Sequence, residues 1–182
     1  MPFLKSLPES AVLLDVFRAW PDQAIRLTEH HQVLLRDDDS DLTPGDRELI
    51  AAFVSRINGC RYCSGVHTEA ARLLGYEEGT VDALLAGIDT APVADRMKPV
   101  LRYVEKLTRQ PASLTQQDAD AVFAAGWGDK DLHDAVAVCA MFNFMNRFVE
   151  GLGIEADEKY FKMGAKRLVE GGYSGLLKLI GG

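Results

Sequence analysis

No stretch of about 18 uninterrupted apolar residues occurs in this chain, so no segment reads as a membrane span and no membrane partner is expected. No cluster of Lys and Arg forms either. The formal net charge is −7, the wrong sign for a surface that holds nucleic acid. Cysteine is scarce: three in 182 residues do not make a disulfide scaffold, and the expected setting is the reducing cytoplasm. The opening "MPFLKSLPES" carries Pro2 and Pro8 and no long apolar run, so it does not read as a signal peptide. Period-two alternation over a strand's length is also missing, which excludes β architectures. What remains is an all-α chain with enough apolar residues, 47%, for one core. A single domain over residues 1–182 is expected.

The helices are punctuated in the sequence. Ile25 to Leu35 reads as a helix stopped by "RDDDSD". In "TPGDRELIAAFVSRING", Thr43 suits an N-cap, Pro44 the first helical position and Asp46 a capping box, and Asn58-Gly59 ends the helix. A second helix spans about Cys60 to Leu74, and a shorter one about Val81 to Ala86. Arg96 to Arg109 is periodic, with Pro99 in its first turn. Thr115 and Asp118 repeat the Thr-x-x-Asp cap, which hints at duplication of a helix pair. Leu132 to Val149 is apolar on nearly every side and is expected to be the central helix. Asp157 opens the last expected helix, to about Glu170.

"NGCRYCSGVH" gathers the reactive residue types. On a helical wheel Cys63, Val66, His67 and Ala70 share the face that should be buried, with Cys60 at its edge in the first turn. Two Cα atoms three apart on a helix lie about 5 Å from one another, so the geometry permits a reversible Cys60–Cys63 disulfide. A helix N-terminus favours thiolate, and His67 stands where it can take the Cys63 proton. These two features predict a Cys63 pKa below about 8.5. A zinc site on Cys60, Cys63 and His67 lacks a fourth ligand, so no metal is expected. A c-type haem anchor needs His directly after the second Cys, and Ser64 stands there. A thioredoxin fold needs strands. Inert burial of all three side chains is the remaining alternative.

The stretch "RELIAAFVSRINGCRYCSGVH" resembles the alkylhydroperoxidase D-like proteins of the carboxymuconolactone decarboxylase superfamily. Its pattern is Glu, eleven residues, Cys-x-x-Cys, three residues, His, filled here by Glu48, Cys60, Cys63 and His67. "FNFMNRFVEGLGI" resembles the second characteristic stretch of the branch called peroxidase-related enzymes, and the likeness runs from about Leu13 to Tyr160. The resemblance implies a helical bundle, a trimer or hexamer, and reduction of a small hydroperoxide through a dithiol. It makes Cys63 the attacking thiol, Cys60 the resolving thiol, and Glu48 and His67 a proton relay. The redox-active Cys60–Cys63 disulfide replaces a bound cofactor, and a lipoyl-type dithiol is one candidate electron donor. Some relatives carry His between the cysteines, where this chain has Tyr62. A general dithiol–disulfide oxidoreductase and a redox-sensing structural oligomer are the alternatives.

On its own wheel Glu48 lies nearly opposite the stripe Leu49, Ile50, Phe53, Val54 and Ile57, which predicts an exposed carboxylate unless a second helix covers it. Cys139 reads as core. His30 and His31 read as ending the first helix, where imidazoles suit the C-terminal dipole, and His133 as solvated. Asn143 and Asn146 interrupt an apolar helix and read as braces between helices, the alternative being a substrate pocket lined with Phe142 and Phe144.

Overall fold

The computed structural model describes residues 2–36 and 38–181; Asp37, in the expected stop after the first long helix, lies outside them. Among the described residues there are ten α-helices, one 3-10 turn and no strand. They are α1 Leu13–Ala19, α2 Pro21–Arg36, α3 Pro44–Ile57, α4 Arg61–Leu73, α5 Thr80–Ala86, α6 Met97–Arg109, α7 Gln116–Ala124, α8 Asp129–Gly151, α9 Glu158–Gly171 and α10 Ser174–Ile180. None is long and apolar enough to cross a membrane. The punctuation works as written. Asp46 Oδ2 accepts from the Thr43 N–H at 2.8 Å, and Thr43 Oγ1 accepts from the Asp46 N–H at 3.1 Å. Asp118 Oδ2 accepts from the Thr115 N–H at 2.7 Å, and Asp157 accepts from the Tyr160 N–H at 2.8 Å. Two helices were not expected, α1 and α10, and α2 begins at Pro21 rather than Ile25.

The central helix is α3, not α8. Every residue from Gly45 to Ser55 is buried, because α2, α4, α5, α6 and α8 surround α3 on all sides. Helix α8 keeps an open side, where Phe144 is 51% exposed and Ala140 and Arg147 face outward. Helix α4 lies between α3 and α9, which covers Ser64 and half-buries Gly65 and Thr68 while Arg61 and Arg72 stay exposed. Gly65 allows this: a Cβ there would stand 2.4 Å from the Phe161 ring of α9. The Thr-x-x-Asp caps repeat but the packing does not, since α3 and α4 pack along their length whereas α7 rests mainly on α6.

Candidate active site

The corner between α3 and α4 fixes the cysteines. Gly59 has φ +74°, its N–H bonds the Arg56 carbonyl at 3.1 Å, and the Cys60 N–H bonds the Ser55 carbonyl at 3.0 Å. This is a Schellman ending with glycine in the left-handed position. It makes Cys60 the N-cap of α4 and places Cys63 in the helix's first turn. Both are free thiols. Cys60 is fully buried, deeper than the edge of the face where it was expected, and Cys63 is 4% exposed. Cys63 lines a cavity of about 90 Å³, together with His67, His31, Thr28, Phe142 and Tyr173.

The thiol expectation is also corrected. The hydrogen bond from Cys60, and after it burial, push the Cys63 pKa well above its ordinary value, while a hydrogen bond with Asn146 partly offsets them. The helix start does not overcome these two effects. His67 does not bond Cys63 directly among the described residues; its Nδ1 pairs with Glu48 Oε2 at 2.6 Å.

Glu48 is fully buried rather than exposed, because the face opposite the apolar stripe is covered by α2, α4 and Tyr173. Arg36 Nη2 donates to Glu48 Oε1 at 2.7 Å, and the Tyr173 hydroxyl donates to the same oxygen at 3.3 Å. Burial alone raises a carboxyl pKa. Here the charge and hydrogen bond of His67, and then those of Arg36, bring Glu48 below its ordinary value. An ionised Glu48 fixes the hydrogen on His67 Nδ1, which leaves Nε2 as the reactive nitrogen.

Tyr62 is buried, and its hydroxyl donates to that of Tyr160 at 2.8 Å across the cavity wall. Asn146 and Asn143 are braces. Asn58 Nδ2 donates to both side-chain oxygens, at 2.9 and 3.1 Å, and Asn146 Nδ2 donates to Ser55 Oγ at 2.9 Å. Cys139 is core, beside Thr108 Oγ1 at 3.3 Å, and His133 is exposed.

His31 overturns its expectation. Because α2 extends to Arg36, His31 lies away from the helix end, and it is 5% exposed. Burial lowers its pKa to about 4, so it is no cation at neutral pH. Arg36, Tyr173 and His31 are the site residues that sequence reasoning did not anticipate. The spacing Ala24, Thr28, His31, Leu35 was the available signal for His31, since it is the buried stripe of α2.

Known proteins share this fold. The carboxymuconolactone decarboxylase family model matches residues 21–106. A peroxidase-related protein of Ralstonia eutropha JMP134, described as an alkylhydroperoxidase AhpD core, superposes with TM-score 0.72 at 25% identity, over 82% of this chain and 78% of that one. The chain is thus similar to the carboxymuconolactone decarboxylase family over residues 21–106, and to an alkylhydroperoxidase AhpD core in fold over 82% of its length. A second similar structure, a peroxidase-related protein of Silicibacter sp. TM1040, gives TM-score 0.75 at 27% identity, over 82% of this chain and 78% of that one. Among curated proteins, the uncharacterized YdfG of Bacillus subtilis is 27% identical over 113 residues, 62% of this chain and 77% of that one. These similarities support a peroxidase-related role at the coarse level.

Proposed function

We propose that this protein is a thiol-dependent hydroperoxide reductase. The observation that carries the reading is a paired thiol at a helix start whose Cys63 member lines a mostly apolar cavity shared with His67, itself held by Glu48. In the proposed reaction Cys63 sulfur bonds the terminal oxygen of ROOH and the O–O bond breaks. Its electron pair goes to the inner oxygen, and the thiol proton ends there through His67 Nε2. The products are ROH and a Cys63 sulfenic acid. Cys60 then displaces water to form the disulfide, and an external dithiol, of which a lipoyl group is one chemical type, returns both thiols. No bound cofactor takes part in this scheme.

The setting we propose is the cytoplasm, where such dithiols stay reduced. We also propose a homo-oligomer, a trimer or hexamer. The support is an apolar groove of about 650 Å³ beside the open side of α8, lined by Trp20, Phe144 and Phe148. A compact monomer in light scattering would contradict the assembly. The function is tested by a panel of hydroperoxides crossed with several reductants. Turnover that depends on a dithiol is expected. Disulfide exchange with protein partners and no peroxide consumption would favour the oxidoreductase alternative.

A further inference from the structure

The cavity beside Cys63 holds two polar groups for which the relay has no task. Thr28 and His31 lie three residues apart on the inward face of α2, and both line the cavity. Thr28 is 1% exposed, and its hydroxyl has no hydrogen-bond partner. Buried hydroxyls are rarely left so, because the group gives up water and receives nothing for it. His31 Nδ1 pairs with the Leu27 carbonyl at 2.7 Å. A carbonyl can only accept, so Nδ1 carries the hydrogen. The ring is neutral at pH 7, since burial lowers its pKa to about 4, and Nε2 therefore keeps a lone pair. Among the described residues no hydrogen bond engages Nε2. The ring is also locked in place, stacked on Tyr173 at 5.4 Å and edge-on to Phe142 at 6.0 Å. Around these two groups the wall combines Leu, Phe, Val and Met side chains with Tyr62, Tyr160 and Tyr173, and Arg167 also lines it.

We propose that Thr28 Oγ1 and His31 Nε2 form the subsite that holds the oxygen end of an apolar-bodied ligand: the O–O–H of an organic hydroperoxide before reaction, the hydroxyl of its alcohol afterwards. The hydroperoxide half rests on the peroxidase reading above; the alcohol half does not. The chemistry assigns each atom a place. In ROOH the terminal oxygen carries the proton, and His31 Nε2, able only to accept, takes the hydrogen bond from it. Thr28 is able to donate, so it serves the inner oxygen, where negative charge grows as the O–O bond breaks. The electron pair of that bond and the proton lost by Cys63 both end on the inner oxygen, and the sulfenic acid keeps the terminal O–H. Nε2 itself has no hydrogen to give an anionic head group. A disulfide gains nothing here, having no O–H to offer.

Two measurements test the subsite. In the first, tert-butanol is titrated into the reduced protein while the ring nitrogens of His31 are followed by NMR. The alcohol should shift the Nε2 resonance, Thr28→Val should weaken its affinity about fivefold, the worth of one ordinary hydrogen bond, and Thr28→Ser should retain it. In the second, Thr28→Val should slow oxidation of the dithiol by tert-butyl hydroperoxide and leave its oxidation by diamide unchanged. A His31 resonance indifferent to the alcohol overturns the subsite, whatever the peroxidase rate. So does a Thr28→Val protein that binds the alcohol as tightly as wild type, or one slowed equally toward both oxidants. Alcohol binding as expected in a protein that consumes no hydroperoxide upholds the subsite and overturns the peroxidase reading instead.

Discussion

With Cys60 as its hydrogen-bond partner and water largely excluded, Cys63 holds its proton in the reduced protein. In the proposed reaction that proton is surrendered only in the encounter with peroxide, when His67 Nε2 and the developing alkoxide are both at hand. Iodoacetamide should therefore label Cys63 slowly at pH 7, and labelling should rise only well above the ordinary thiol value of about 8.5. A labelling rate already at its plateau by pH 7 would show a preformed thiolate and contradict this. The Cys-x-x-Cys and His spacing was legible in the sequence because all three lie within two turns of one helix. The partners of Glu48 were not, since Arg36 and Tyr173 stand 12 and 125 residues away along the chain and meet it only by tertiary packing. The thiol pKa was misread for a related reason. A helix start is visible in a sequence, whereas the depth at which the sulfur is buried is not.

At the scale of elements, α4 carries Cys60, Cys63 and His67 together, so its seating decides the site. It is held on one side by α3 and on the other by α9, with the Phe161 ring occupying the place where a side chain on Gly65 would lie. Gly65→Ala should force the two helices apart and cost about 1–3 kcal/mol, as overpacking does. Urea unfolding reads the loss, and unchanged stability would mean that Phe161 swings away freely. Helices with full caps, α3 and α7 above all, were legible because Thr and Asp satisfy the first N–H groups locally. The short α1 and α10, seven residues each, were not: they span too few turns for a periodic pattern, and packing on their neighbours holds them. The rank of the helices was misjudged as well. Apolar composition singled out α8, but α3 is central because its Ala, Gly and Ser positions let helices approach from every side, and its charged residues find partners within the fold.

For the molecule as a whole, the buried imidazole of His31 links stability to pH. In the unfolded chain it binds a proton near pH 6.5, and in the folded protein only near pH 4. Between those values the unfolded state holds more protons, so stability falls as the pH falls, by roughly 3 kcal/mol at pH 4. Glu48, His67 and His30 surround the ring and remain in a His31→Asn variant, so the difference between the two proteins isolates it. Parallel stability curves over this range would contradict the assignment. The all-helical class was legible from the absence of alternating runs and from the caps. The cavity was not, because its wall is drawn from α1, α2, α4, α8, α9 and α10, and no local pattern announces such a convergence. The central claim is that Cys63 attacks peroxide and Cys60 resolves it, with His67 and Glu48 moving the proton. It is tested most directly by adding one equivalent of an organic hydroperoxide to the Cys60→Ser and Cys63→Ser proteins, trapping with dimedone, and reading the labelled peptide by mass spectrometry. The label should appear rapidly on Cys63 in the first protein, more slowly when His67→Ala or Glu48→Gln is added, and barely on Cys60 in the second. Equal rates on the two sulfurs would contradict the account.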